Sequence, residues 1–252
     1  MDWIQALILG IVQGFTEFLP ISSSGHLVLG QAILGIEQPG NEFEILVHLG
    51  TLASVLLVFF NDIKSLLLSL TSKKSQLFIF FVLVGTIPVI CIGLGFKEIL
   101  ESLFDNMDAV GGALIFTGLM LYCSSTIKRR DRDHSIVTSI LIGCAQAVAI
   151  IPGVSRSGMT ICTALFLGLS PKEAARFSFL LAIPAISGAG ILTALDVSGG
   201  FQLPLSVSIV AFLSSFGVGI VALKWLLGWL EQGKFHYFGV YCLSVGIMTL
   251  VI

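Results

Sequence analysis

The sequence predicts an all-α, polytopic membrane protein with six transmembrane helices and two re-entrant helical hairpins arranged as an inverted repeat. Hydrophobic residues make up 56% of its 252 residues and charged residues only 11%, whereas a soluble domain carries roughly a quarter charged residues. The mean hydropathy is +1.01. This composition indicates several membrane spans. Because the sequence contains no basic patch, we expect no nucleic-acid partner.

Long uncharged runs predict the six spans, each long enough, or nearly so, to cross a hydrocarbon core of about 30 Å. They are residues 45–60, 77–96, 109–127, 177–195, 203–223 and 235–252. Two further apolar regions are interrupted, residues 3–35 at Pro20 and residues 135–169 at Pro152. We expect two half-helices around a polar turn in each, because irregular backbone at membrane depth needs protein or a water-filled cavity around it.

Lysine and arginine lie almost entirely on one face of this predicted topology. Eleven of the 13 share that face: Lys64, Lys73, Lys74, Lys128, Arg129, Arg130, Arg132, Lys172, Arg176, Lys224 and Lys234. The opposite face carries only Lys97, and Arg156 lies inside the second hairpin. The positive-inside rule therefore predicts that the basic face is cytoplasmic and that both termini point outward.

The two hairpin regions match each other when the sequence is shifted by 133 residues. The shift pairs Gly10 with Gly143, Gln13 with Gln146, Ser22 with Ser155, Ser24 with Ser157, and Gly25 with Gly158. The single domain 1–252 thus divides into a first repeat, 1–127, and a second, 128–252. Each repeat has one hairpin and three spans, so the second copy is inverted, and sites in such folds lie near the midplane. The alternative is a chance match between apolar sequences.

Both hairpin turns end in Ser-x-Ser-Gly and begin a half-helix, whose free N–H groups and dipole favour an anion. Five hydroxyls at these turns add hydrogen-bond donors: Ser22, Ser23, Ser24, Ser155 and Ser157. Arg156 adds a planar fork that suits phosphate oxygens, and an arginine at membrane depth indicates a function. The alternative is that the serines are only helix caps.

A carboxylate and an imidazole accompany the first turn. Glu17 lies four residues after Gln13, on the same helix face, and His26 follows the serines within one turn, where it can act as a general base or acid. Structural interpretations stay open for each: an ion pair between Glu17 and Arg156, a core histidine at position 26, and interhelical hydrogen bonds by Gln13 and its counterpart in the second repeat.

A second histidine lies farther along the chain. His48 follows Glu44 by four residues at the outer end of a predicted span. The two side chains either line the entrance to the site or form an interfacial polar pair. The sequence leaves both interpretations open.

Two motifs, read together, resemble the undecaprenyl-diphosphatase family, also called the bacitracin resistance proteins. The first is QGFTEFLPISSSGH, from Gln13 to His26, and the second is PGVSRSGMT, from Pro152 to Thr160. Both are long and complete, and the resemblance covers essentially the whole chain. Gln13 replaces the first glutamate of the family's (E/Q)-x-x-x-E pattern, which weakens any scheme that needs two carboxylates there for a metal.

The resemblance implies hydrolysis of undecaprenyl diphosphate to undecaprenyl phosphate and inorganic phosphate, which recycles the lipid carrier for peptidoglycan synthesis and confers bacitracin resistance. It implies a bacterial plasma-membrane protein whose site is associated with the outer face. Catalytic importance carries over to Glu17, Ser23, His26 and Arg156. The expected substrate contacts are Gln13, Ser22, Ser24, Gly25, Ser155, Ser157 and Thr160. A divalent cation, Mg²⁺ or Ca²⁺, bound with the diphosphate and held by Glu17, stays an open expectation.

These residues suggest a mechanism in which Ser23 attacks the terminal phosphorus and His26 takes its proton. Arg156 and the half-helix N-termini stabilise the phosphoryl charge. Glu17 orients the pair or holds the cation. The rival function is a transporter or flippase of a polyprenyl phosphate lipid, since inverted repeats with broken helices are a transporter architecture. A carrier needs no nucleophile beside a base, so the Ser23–His26 spacing favours an enzyme.

Overall fold

The computed structural model describes residues 1–36, 41–96, 103, 106–127, 131–196 and 203–251, and within these ranges it contains helices and no strand. The helices are α1 (Trp3–Thr16), α2 (Ser23–Ile33), α3 (Asn41–Val58), α4 (Phe60–Leu68), α5 (Lys73–Gly95), α6 (Met107–Cys123), α7 (Ile136–Val148), α8 (Arg156–Phe166), α9 (Pro171–Asp196), α10 (Leu205–Glu231) and α11 (Tyr237–Val251). The predicted all-α, polytopic fold class is confirmed. Four basic residues used in the topology prediction, Lys97, Lys128, Arg129 and Arg130, lie outside the described residues.

Each interrupted apolar region consists of two short helices joined by a turn. Helices α1 and α2 flank residues 17–22, and helices α7 and α8 flank residues 149–155. Both first helices begin with a capping box, built on Asp2 in α1 and on Ser135 in α7. Such a box satisfies backbone N–H groups that have no partner within the helix. Whether the two pairs re-enter the membrane stays a prediction.

Among the described residues, four helices are long and apolar enough to cross a membrane: α5, α6 with its short 3₁₀ extension, α9 and α10. Helices α3 and α4 make a fifth span if they are counted together, although the chain bends by 66° between them. The last predicted span, 235–252, corresponds to α11, which has 15 residues. The chain is therefore a membrane protein, and the count of six spans stays a prediction.

Several spans extend past the uncharged runs that predicted them. Helix α9 begins at Pro171 rather than near residue 177, and α10 continues through Lys224 to Glu231. A helix does not end where its apolar stretch ends, because charged residues near a span's end can reach the interface while the backbone stays helical. The predicted loop 61–76 likewise contains most of α4.

The two halves of the chain pack into each other through matching helix pairs. Helix α1 of the first half lies against α10 of the second, and α7 of the second half lies against α5 of the first. Glycine permits the closest of these approaches, since a Cβ on Gly143 would overlap the backbone of Gly85. Helices α6 and α11 also pack together. Each broken region is therefore held by a long helix of the other half.

The turn of the first broken region is anchored by buried contacts. Phe18 is fully buried and packs edge-on against Phe179 of α9, with ring centroids 5.9 Å apart. The thiol of Cys242 in α11 donates to the carbonyl of Pro20 at 3.4 Å. These contacts fix the backbone on both sides of the turn, and Glu17 immediately precedes Phe18.

Candidate active site

The first turn brings the start of α2 back over the end of α1. Ser22 caps α2, and its hydroxyl accepts from the N–H of Gly25 at 3.4 Å. Its φ of 69° is the one positive φ of a non-glycine residue in the described ranges. That conformation is disfavoured for residues with a side chain and is commonly retained at functional sites. As a result Ser23, the first residue of α2, faces Glu17 at the end of α1.

The second turn repeats this arrangement with different side chains. Gly153 has a φ of 92° and packs so closely on Val110 that a side chain would overlap its carbonyl. Ser155 caps α8, and its hydroxyl accepts from the N–H of Gly158 at 3.2 Å. The hydroxyl of Thr117 in α6 accepts from the Ser155 N–H at 3.1 Å. Arg156 thereby becomes the first residue of α8, as Ser23 is of α2.

The carboxylate of Glu17 joins the two turns. Ser23 donates its hydroxyl proton to Oε2 at 2.6 Å, and Arg156 Nη2 donates to Oε1 at 2.6 Å. Gln13 Nε2 also donates to Oε2, at 3.0 Å. The ion-pair interpretation of Glu17 and Arg156 is therefore correct, and the same carboxylate binds the predicted nucleophile.

The guanidinium of Arg156 is only partly used by this pair. The Glu17 and Arg156 side chains are 5% and 14% exposed, and a buried ion pair is by itself a weak source of stability because both ions must be desolvated. Arg156 Nη1 is buried and has no hydrogen-bond partner among the described residues. One amino group of the fork thus holds Glu17, and the other is free to bind a ligand oxygen.

His26 does not meet Ser23. Its Nδ1 donates to the carbonyl of Ser22 at 2.8 Å, and its Nε2 accepts from the hydroxyl of Tyr241 at 2.8 Å. In the described ranges no hydrogen bond joins His26 to Ser23, so the predicted pair is not formed in this structure. A side chain at the first position of a helix leans back toward the preceding turn, and this direction takes Ser23 to Glu17.

A cavity of about 320 Å³ opens above the Glu17 carboxylate. It is lined by Thr16, Glu17, Ser23, Ser24, Glu44, Ile45, His48, Val89, Gln146, Ala149, Ile150, Val154, Ser155, Arg156, Ala185, Ile186, Ala189, Gly190 and Thr193. Its polar part combines both turns, and its apolar part lies along α5 and α9. The cavity can therefore hold a ligand with an anionic head and an apolar tail.

Sequence reasoning undervalued His48. Its Nε2 lies 3.9 Å from Glu17 Oε2, and its Nδ1 donates to the carbonyl of Glu44 at 2.7 Å. Because Nδ1 donates to that carbonyl, Nε2 is the ring nitrogen that faces the Glu17 carboxylate. The four-residue spacing from Glu44 was the available signal. Both residues line the cavity, which favours the entrance interpretation of this pair.

The chain matches a known protein family over nearly its whole length. The family model described as bacitracin resistance protein BacA matches residues 6–248. The chain belongs to this family. It is 39% identical to an undecaprenyl-diphosphatase of Desulfatibacillum aliphaticivorans, covering 100% of this chain and 99% of the relative. Relatives of the same name from Korarchaeum cryptofilum and Bacteroides fragilis are 43% and 38% identical, and at least 98% of each chain is covered. The resemblance inferred from the two motifs is confirmed.

The two motifs of this bacitracin resistance family member occupy the two turns. Some of their residues line the cavity and others do not. Of the predicted substrate contacts, Ser24 and Ser155 line the cavity. The other five make hydrogen bonds to residues at the two turns: Gln13, Ser22, Gly25, Ser157 and Thr160. Thr160, for example, donates to the carbonyl of Arg156 at 2.8 Å and contacts the hydroxyl of Ser178. These five residues are not among those that line the cavity, and their contact with substrate stays a prediction.

The site offers little to hold a metal by protein ligands alone. In the described ranges no group of three or more His, Cys, Asp or Glu side chains comes together. Glu17 is engaged by Arg156 and Ser23, whereas Mg²⁺ and Ca²⁺ prefer several oxygen ligands. The donor set therefore does not fit a resident, fully protein-held cation.

Proposed function

We propose that this chain hydrolyses undecaprenyl diphosphate to undecaprenyl phosphate and inorganic phosphate, and thereby recycles the lipid carrier for envelope polymers and confers bacitracin resistance. The observation that carries the proposal is the 2.6 Å hydrogen bond from Ser23 to Glu17, beside Arg156. It joins a nucleophile, a base and a phosphate-binding cation in one cavity. The names of the relatives support the substrate.

The proposed first step is attack by Ser23 Oγ on the terminal phosphorus. The hydroxyl proton passes to Glu17 Oε2, the bond from phosphorus to the bridging oxygen breaks, and undecaprenyl phosphate leaves. Arg156 Nη1 and the N-termini of α2 and α8 stabilise charge on the phosphoryl oxygens. Glu17 gives the serine proton to the departing undecaprenyl phosphate. Water then passes a proton to Glu17 as it attacks the phosphoserine, and Ser23 takes this proton back as its bond to phosphorus breaks and inorganic phosphate is released. Glu17 here replaces His26 as the base predicted from sequence.

His26 has a positioning role in this proposal. Its ring donates to the carbonyl of Ser22, the residue with the strained backbone, and stacks on Tyr241 with centroids 5.7 Å apart. Holding this carbonyl fixes the backbone that precedes Ser23. The catalytic importance that the family resemblance gives to His26 is therefore explained by the orientation of the nucleophile.

We expect Arg156→Lys to be nearly as damaging as Arg156→Ala. Lysine keeps the charge but loses the fork that binds Glu17 with one amino group and phosphate with the other. Loss of a charge-stabilising donor lowers turnover by about 10²–10³, and both variants should fall in this range. Phosphate release by the purified variants measures this. Activity of Arg156→Lys close to that of the parent would show that only the charge matters.

A divalent cation remains a proposal, and no step above depends on it. It would be carried by the diphosphate oxygens, with Glu17 as the proposed carboxylate ligand. The chemistry it would supply is neutralisation of the substrate's charge.

The apolar part of the cavity is proposed to hold the start of the lipid tail. Val89 of α5 and Ala185, Ile186 and Ala189 of α9 form this part. Two of these four side chains are alanines, so a prenyl chain can pass between the two helices. The tail would then leave the site sideways into the bilayer.

We also propose the inner membrane, outward termini and a site associated with the outer face. The inverted repeat, 1–127 and 128–252, belongs to this proposal. Helices α7 and α8 begin 133 residues after α1 and α2, since 136 − 3 and 156 − 23 both equal 133. The packing of α1 on α10 and of α7 on α5 has the reciprocity that an inverted repeat requires.

Cysteine labelling tests the orientation. Ser72→Cys and Asp131→Cys, both at exposed positions, should resist a membrane-impermeant reagent on intact cells and react after permeabilisation. Asn106→Cys is the control that should react from outside. The exposed native cysteines must first be replaced: Cys91, Cys123 and Cys144. Labelling of Ser72→Cys and Asp131→Cys on intact cells would overturn the orientation.

Phosphate release by the purified protein in detergent tests the function itself. We expect turnover of undecaprenyl diphosphate, and none by a Ser23→Ala variant purified in the same way. The rival transporter or flippase is not favoured, because a carrier needs no activated serine. Lipid redistribution between the leaflets of vesicles without phosphate release would establish the rival.

A further inference from the structure

Gln146 is a buried amide without a partner. It lies near the end of α7, is 2% exposed and lines the cavity above Glu17. Neither Nε2 nor Oε1 of its side chain has a hydrogen-bond partner among the described residues. Burying an amide with both ends unpaired is unfavourable, so this polar group is a candidate to bind a ligand in the cavity. The interhelical hydrogen bond considered for Gln146 is not found in the described ranges.

The internal repeat explains why this amide is free. Gln13, at the equivalent position of the first half, donates to Glu17 four residues later at 3.0 Å. Four residues after Gln146 the chain has Ile150 instead of a carboxylate. The second half thus keeps the amide and lacks its acceptor. Ile150, which stands where the first half has the acceptor Glu17, also lines the cavity. The unpaired amide of Gln146 therefore has the cavity available for a partner.

We propose that Gln146 binds the diphosphate, with Nε2 donating to an oxygen of the phosphate that stays on the lipid. This inference rests on the proposed phosphatase function and extends it. The terminal phosphate carries more negative charge, and Arg156 with the N-termini of α2 and α8 faces it. A neutral amide suits the less charged, lipid-side phosphate. Gln146 also lines the same cavity as the apolar residues Ile150 and Val89, which belong to its proposed tail-binding part.

The test compares Gln146→Leu and Gln146→Glu with the same substitutions at Gln31. Gln31 is the matched control, because its Nε2 is also buried and unpartnered but it does not line the cavity. For Gln146→Leu we expect KM to rise about 10-fold to 100-fold, as for a lost hydrogen bond to a charged group, with kcat nearly unchanged. Gln146→Glu, which adds like charge, should raise KM further. Gln31 variants should keep the parent's KM.

Product inhibition identifies the phosphate that Gln146 contacts. Gln146→Leu should weaken inhibition by undecaprenyl phosphate by the factor seen in KM, and leave inhibition by inorganic phosphate unchanged. An unchanged KM in Gln146→Leu, or weaker inhibition by inorganic phosphate alone, overturns the proposal, as does an equal rise in KM at Gln31. If Gln146→Leu does not fold, Gln146→Met, whose side chain is unbranched like glutamine, is measured in its place. Failure of the parent protein to release phosphate would instead refute the proposed function.

Discussion

Ser23→Ala is expected to abolish phosphate release while the protein still binds the diphosphate lipid. Ser23 is the hydroxyl bound to Glu17, at 2.6 Å, and in the proposed first step it supplies the atom that attacks phosphorus. Removing it takes away the nucleophile but leaves Arg156 and both helix N-termini in place. Phosphate release and lipid binding by the purified variant measure the two effects separately.

Ser24→Ala is the matched control for this result. Ser24 also lines the cavity, but its hydroxyl lies 3.3 Å from that of Ser22 and is a donor rather than the nucleophile. We expect it to lose only part of the rate, at most the factor of about 10²–10³ of an oxyanion donor. A loss of less than about tenfold in Ser23→Ala would be smaller than the loss expected for a mere donor. Water activated by Glu17 would then replace serine as the nucleophile.

Glu17→Gln should lower both activity and stability. The amide cannot take the proton of Ser23, and loss of a general base lowers turnover by about 10²–10⁴. It also leaves the buried guanidinium of Arg156 without its counter-ion, which destabilises a protein by about 3–5 kcal/mol. Phosphate release and the thermal unfolding temperature in detergent measure the two losses.

A double variant separates the two roles of Glu17. Glu17→Gln combined with Arg156→Met removes both buried charges, so we expect most of the lost stability to return while turnover stays at least as low as in Glu17→Gln alone. Near-parental activity of Glu17→Gln would show that the carboxylate is only a structural partner of Arg156. An unchanged unfolding temperature would show that the ion pair contributes nothing to stability.

Local patterns predicted the two broken regions correctly. Proline and the Ser-x-Ser-Gly turns predicted that a half-helix begins at each turn, and α2 and α8 do begin there, at Ser23 and Arg156. Caps and breaks depend on a few neighbouring residues. Span ends were less predictable, since a helix such as α10 continues past its first charged residue. The turn residues Ser22 and Gly153 have left-handed backbone conformations, which the sequence did not reveal.

Contacts between distant residues were harder to predict. Helical spacing allows Ser23 to meet His26, but the direction of the first side chain of α2 favours Glu17 instead. The role of His48 depends on how α3 packs beside the first turn, and that packing is a tertiary property. The free amide of Gln146 was visible only after burial and hydrogen bonds were known.

The stereochemical course at phosphorus tests the serine mechanism most directly. The substrate is undecaprenyl diphosphate whose terminal phosphate is an isotopically chiral thiophosphate, hydrolysed in isotopically labelled water by the purified protein. Attack by Ser23 followed by attack of water makes two in-line displacements, each of which inverts the phosphorus. We therefore predict that the released thiophosphate retains the configuration of the substrate. Inversion would mean a single displacement by water and would contradict a phosphoserine intermediate at Ser23.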